Sequence, residues 1–285
     1  MSSTDTPIKS ALPGVNILLE GPAGTGKTTA LGTLADAGLE VFVLMLESGL
    51  ESFLGYWTDR GKEIPANVHW HVITPAKAGF DEMLVMADNI NKLSFESLTK
   101  VSDVNKSKYD TMRKILLALS DFPCDRTGKK FGPVNDWSTG RVLAIDGLTG
   151  LNTAAMQNTV GGKPVRGQHE WPIAQIQIEH LLRKLTDDCR CHFVLISHVE
   201  RETDAVLGGV KITCSTLGKA LAPKIPAMFS DVVLAVRQGT KYQWDTANPM
   251  ADLKTRNLAT SATLEPSFVP IVKKWQSRGG VIESA

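Results

Sequence analysis

Long apolar runs are missing from this 285-residue chain, and no stretch approaches the roughly 20 apolar residues that a membrane-spanning helix needs. The first ten residues are polar, with no signal-peptide core, so a cytoplasmic location is expected. Cysteine is scarce: four residues in such a chain argue against a disulfide framework. Cys189, Cys191 and His192 lie close together, but no second pair stands at zinc-site spacing, and Cys124 and Cys214 are isolated. Cys191 is therefore expected to pack inside at the start of a strand. Charge of one sign is also lacking, since 31 basic residues meet 30 acidic ones for a net +1. Any nucleic acid would have to meet a local basic strip instead of a bulk field. No internal repeat or low-complexity tract interrupts the chain. What remains is an ordinary globular composition, 42% hydrophobic and 21% charged. The length suits one large α/β domain with insertions, or a domain with a small appendage.

Glycine is where the sequence becomes specific. Residues Gly21, Pro22, Ala23, Gly24, Thr25, Gly26, Lys27 and Thr28 form a full G-x-x-x-x-G-K-[ST] phosphate-binding loop. The apolar run 15–19 before it reads as a buried strand, and 28–37 after it reads as a helix stopped by Gly38. Glycines let the backbone curl so that successive N–H groups point at phosphates, and the helix start adds partial positive charge. Thr29 continues the loop's contact surface. Lys27 is placed to reach the β- and γ-phosphates, and the Thr28 hydroxyl to hold Mg²⁺. ATP and Mg²⁺ are the expected ligands.

The rest of the chain alternates strand and helix signals. Continuous apolar runs at 41–46, 142–145, 193–196 and 232–236 have the pattern of parallel strands buried on both faces, and 68–73 adds another strand. Helical periodicity occupies 79–93 (Met83, Met86, Ala87, Ile90), 106–119 (Met112, Ile115, Leu116, Leu119) and 173–185. Residues 123–139 read as a polar loop, 241–245 as part of a hairpin. Such an order predicts a mostly parallel sheet covered on both faces, with ligands at the carboxyl ends of the strands.

Those strand ends carry the chemistry. Asp146 closes the run VLAID and is the candidate Mg²⁺ ligand. Hydrolysis also needs a base for the attacking water, yet the residue after Asp146 is Gly147. Glu47, ending the 41–46 strand, is the candidate; the competing reading makes it only a cap for a helix starting near Ser48. Ser197 and His198 end the 193–196 strand, where a polar side chain can touch the γ-phosphate and pass its loss into the segment 200–218. Lys254 and Arg256, two apart on an extended segment, project to one side.

In this order the parts resemble the RecA-like ATPase core, most closely the compact phage nucleotide-binding ATPases related to RecA, some of which anneal single strands. The resemblance covers roughly 15–257. It implies a three-layer α/β P-loop fold with a mostly parallel central sheet, flanked by an arm at 1–14 and a tail at 258–285, with 76–140 as an insertion. It implies Glu47 as catalytic base, His198 as γ-phosphate sensor, and Lys254 and Arg256 reaching across to a neighbouring subunit's site in a homo-oligomer. It further implies ATP hydrolysis on single-stranded DNA in recombination or annealing, by a phage-encoded protein in the host cytoplasm. The DNA path would run along 156–168, with Lys163 and Arg166, and 199–218, with Arg201 and Lys211, phosphate contacts being made by basic residues. Neither segment has an aromatic platform for bases; Trp171 is the nearest. The tail residues 273–278 read as solvated. A ring helicase or loader, a small-molecule kinase and a non-hydrolysing switch remain open alternatives.

Overall fold

The structure is a computed structural model that describes residues 12–75, 79–101, 109–163, 165–203 and 208–284. Expectations for residues 1–11 of the arm lie outside the described residues.

Apolar runs without alternation must bury both sides, and here they do. Strands β1 (Asn16–Glu20), β2 (Glu40–Met45), β3 (Val68–Val72), β4 (Arg141–Asp146), β5 (His192–Ser197) and β8 (Asp231–Gln238) lie parallel in the order β8-β1-β5-β4-β2-β3. Within β1, Leu18 joins one hydrophobic cluster while Ile17 and Leu19 join the other, so the strand separates two cores. The first core is roofed by α6 (Thr111–Ser120), α7 (Leu148–Val160), α8 (Glu170–Arg183) and α9 (Lys224–Met228), through Ile115, Leu151, Ile178 and Ile225. The second is closed by α1 (Lys27–Ala30), α2 (Thr33–Asp36), α3 (Leu50–Thr58) and α10 (Val269–Ser277), through Leu34, Phe53 and Trp275. The fold is therefore α/β, three layers on a mostly parallel sheet. Each fully buried Leu, Ile or Phe contributes about 1.5–3 kcal/mol.

Beyond β8 the chain turns antiparallel: β9 (Lys241–Asp245) and β10 (Lys254–Thr255) both pair along its outer edge. A second, two-stranded sheet is the hairpin of β6 (Val199–Thr203) and β7 (Val210–Cys214). Within the segment 200–218, residues 200–203 and 210–214 form this paired ladder, with Ile212 and Cys214 buried, and residues 204–207 lie outside the described residues.

Three further segments differ from expectation. The helix expected over 28–37 changes to i→i+3 bonding where Leu31 and Gly32 donate to Thr28 and Thr29, which divides it into α1 and α2. In the stretch 273–278, Lys273, Lys274, Gln276, Ser277 and Arg278 are exposed as expected, but Trp275 is not. Ile271, Val272 and Trp275 of α10 are buried, and Trp275 donates to the Pro13 carbonyl at 2.8 Å, because spacings of three and four put these apolar groups on one helical face. The stretch 76–140 does not behave as one insertion. Met112, Ile115 and Leu119 of α6 lie in the first core, whereas α4 (Phe80–Lys92) and α5 (Phe95–Lys100) bury no residue. Residues 106–108 of the second expected helix lie outside the described residues.

Candidate nucleotide site

Parallel register brings the functional strand ends level. Glu20 pairs with Ser197, Asp146 with Ile196, and Met45 with Asp146, so these strands all end at one edge of the sheet. There the phosphate loop, Glu47, Asp146 and His198 line a cavity of about 390 Å³.

The loop's curl depends on Gly24 and Gly26 at φ 73° and 78°, a region L side chains avoid. Thr25 ties the curve by donating to the Pro22 carbonyl at 2.8 Å. Lys27 is 6% exposed, and its Nζ donates to the Gly21 and Pro22 carbonyls at 2.7 Å each. Burial lowers its pKa to about 8, against the pull of Asp146 and Glu47. Among the described residues the ammonium thus bonds to neutral carbonyls and makes no ion pair with a carboxylate. Thr28 and Thr29 line the same cavity, and Thr29 donates to the Ser52 carbonyl at 3.1 Å.

Asp146 is buried, and desolvation pushes its pKa up to about 6 although the Thr28 hydroxyl bonds to it. A carboxylate in this condition gains most from a cation, so Thr28 and Asp146 fit the donor set expected for Mg²⁺. Glu47 does not cap the helix that follows it, since α3 begins at Leu50 with Gly49 as its N-cap; its contact is with the first turn of α7. Its Oε1 instead accepts from the Gly150 backbone N–H at 3.2 Å, and its Oε2 lies 3.4 Å from His198 Nε2. Gly147 explains why no acid follows Asp146. At φ 120°, a Cβ at this position would lie 2.7 Å from Glu47 Cγ. The space next to Gly147 is filled by the side chain of Glu47, two residues past the end of β2.

His198 connects this group to the hairpin. Val199, the next residue, opens β6, and the His198 carbonyl accepts from Ser215 N at 2.8 Å beyond the end of β7. Lys254 and Arg256 are not brought to this chain's loop. β10 pairs with Asp231 and Val232, the amino end of β8, so both residues sit at the opposite end of the sheet. Lys254 donates to the Ala227 and Phe229 carbonyls, and Arg256 is exposed.

The expected DNA segments are less open than their sequence suggests. α7 continues through Val160 with Met156 buried, so 156–160 is core helix, and residue 164 lies outside the described residues. Lys163 pairs with Glu170 at 2.9 Å and Lys211 with Asp252 at 3.1 Å. Arg166 and Arg201 are exposed, and Arg201 borders a second cavity of about 410 Å³ beside Pro22 and Thr25. Trp171 is partly buried against the first core. Cys189, Cys191 and His192 are all buried and form no metal cluster among the described residues.

Two residues escaped sequence reasoning. Tyr242 of β9 lines the cavity, and a Cβ at Gly26 would lie 3.1 Å from its ring. Its position depends on hairpin pairing across β8. Glu20, ending β1, is 1% exposed with Oε2 unpartnered, and burial raises its pKa to about 8, with Asp252 adding to the rise. An acid directly before the loop was the visible signal.

The fold is α/β, and the site sets a glycine-curled loop with the phosphate-binding motif against acids at the carboxyl edge of its parallel sheet. No protein-family model matches the chain. No curated protein matches it either. Among solved structures it is similar to the assembled ATPase EscN from the type III secretion system of enteropathogenic E. coli, with 15% identity and a TM-score of 0.34 over 79% of this chain. It is also similar to the flagellar accessory protein FlaH from Methanocaldococcus jannaschii, with 11% identity and a TM-score of 0.30, over 82% of this chain and 77% of that one. This chain spans 43% of the length of the EscN chain.

Proposed function

We propose that this chain is a RecA-like ATPase that hydrolyses ATP on single-stranded DNA in recombination or annealing, as a homo-oligomer. The observation that carries the reading is Glu47. It is held by the Gly150 N–H and faced by His198, in the cavity that Lys27, Thr28 and Asp146 also line.

In this reading Lys27 moves from its carbonyls onto the phosphates, and Thr28 with Asp146 would hold a Mg²⁺, which would supply charge neutralisation. Glu47 orients a water and takes its proton. The water oxygen bonds to the terminal phosphorus as the bond to the β-phosphate oxygen breaks, releasing ADP and phosphate. His198, touching Glu47 and joined to the β6–β7 hairpin, relays the change toward Arg201 and Lys211. Lys254 and Arg256, at the far end of the sheet, serve a neighbouring copy's nucleotide.

The test is phosphate release with and without single-stranded DNA, with Glu47→Gln beside the wild type. Stimulation by DNA and a fall of about 10²–10³-fold in the variant, with ATP affinity kept, are expected. Turnover indifferent to DNA removes the nucleic-acid role. A phosphorylated acceptor in place of free phosphate makes the chain a kinase.

A further inference from the structure

The cavity of about 410 Å³ that borders the phosphate loop on the side of β8 and the β6–β7 hairpin takes no part in the hydrolysis described above. Its size is that of a small-molecule site. Its floor is apolar and comes from three strands: Val199 of β6, Ile212 of β7, and Leu234 with Val236 of β8. Arg201, Arg237 and Asn248 complete the rim, and among the described residues no acid lines it. The two cavities therefore differ in kind. The first sets Glu47 and Asp146 beside Lys27 and suits an anion that arrives with a cation. The second sets two guanidinium groups around branched apolar side chains and suits an anion alone.

We propose that this second cavity binds one nucleotide unit without Mg²⁺, its base on the apolar floor and its phosphate between Arg201 and Arg237. A flat ring covers the floor and removes it from water. The planar fork of a guanidinium matches phosphate oxygens, and no lining carboxylate competes for it. The Asn248 amide is donor and acceptor at once, which a base edge can use and an aliphatic chain cannot. Inorganic phosphate would leave the floor wet. Occupancy also has a route to the first cavity. Ala23, Gly24 and Thr25 line both, and the Arg237 guanidinium lies 5.3 Å over the ring of Tyr242, which lines the first. A unit bound here therefore alters the loop's affinity for ATP, and ATP alters its affinity in return. The proposal rests on the ATP reading only for that coupling.

The test is calorimetry with dTMP in EDTA on the full chain. It compares wild type, Lys27→Ala to disable the phosphate loop, the double variant Arg201→Ala/Arg237→Ala, and Val236→Trp, which fills the floor. Both arginines are exposed and Val236 is half-buried, so circular dichroism should stay as in the wild type. Lys27→Ala is expected to bind dTMP as the wild type does, and the arginine pair to weaken binding about tenfold or more. Val236→Trp should weaken it as much while keeping both charges. Loss of binding in Lys27→Ala puts dTMP on the phosphate loop and overturns the proposal. Binding that survives either cavity variant also overturns it, as do inorganic phosphate binding as tightly as dTMP and a wild type that takes up neither dTMP nor oligothymidylate. A short oligothymidylate separates the sources: tighter binding than dTMP, lost in both cavity variants, makes the unit part of a strand, and equal binding makes it a free nucleotide. dTMP bound by a protein whose turnover ignores DNA leaves this site standing and removes the DNA-dependent reading.

Discussion

Cations at the nucleotide end and cations along the expected DNA path have opposite surroundings. Lys27 is buried with two carbonyls and no carboxylate in contact, whereas Lys163 and Lys211 each lie within 3.1 Å of an acid on the same molecule. Burial is costly for a charge, which is why the Lys27 pKa falls to about 8 even though Asp146 and Glu47 pull the other way. An exposed, paired lysine has little to gain from a phosphate, since the exchange replaces one screened ion pair by another. Basic residues in a glycine-bearing segment are thus poor indicators of a nucleic-acid surface until their partners are known.

The sharpest break of this contrast is Lys27→Ala, which should lower ATP affinity by about 100-fold or more in calorimetry, as loss of a charged phosphate contact does. Affinity within a few-fold of wild type would mean that the ammonium stays on its own carbonyls. Gly147→Ala comes next. The new methyl meets Glu47, so turnover should fall about 10-fold or more with ATP affinity kept, and stability should drop by about 1–3 kcal/mol. Equal turnover would detach Glu47 from the chemistry.

Glu20 offers a pH test of burial beside the loop. Its folded pKa of about 8 exceeds the ordinary 4.5, so the fold prefers the neutral acid. Stability is therefore greatest at low pH for this group and falls as pH rises through that interval. Asp146, raised to about 6, has completed the same kind of loss once pH passes that value. The buried, neutral His192, lowered to about 4, gives its full contribution above its ordinary 6.5 and loses it only as pH falls below that. Between 6.5 and 8 Glu20 should dominate, with a decline of about 2 kcal/mol that Glu20→Gln abolishes in denaturant titrations. A flat wild-type profile would mean that Glu20 finds a cation or solvent. The smallest effects belong to Lys163→Ala and Lys211→Ala, each expected to change DNA stimulation by about threefold or less, against a larger loss for Arg201→Ala. A steep loss in Lys211→Ala would show that DNA outcompetes Asp252.

Much of the site was legible because its signals are local. A phosphate loop is a contiguous backbone shape, and an acid closing an apolar run must emerge at a strand's carboxyl end, so Lys27, Thr28, Asp146 and Glu47 could all be named from their neighbours. Glu47's relation to Gly147 could not, since two segments about 100 positions apart meet only after β2 and β4 pair. Tyr242 reaches the loop only through the β8–β9 hairpin. The partners of Lys163 and Lys211 likewise come from folding.

Periodicity alone determined that this chain forms an α/β protein with a parallel sheet, because runs buried on both faces admit few alternatives. Its motif determined that a glycine-curled loop bearing Lys27 and Thr28 would follow the first strand. Which apolar helices close the core was a tertiary decision. The stripes of α4 and α10 look alike in sequence, yet α10 packs against the second core while α4 has no buried residue. Helical spacing specifies that a face is apolar, and only the surface opposite it decides whether that face is buried.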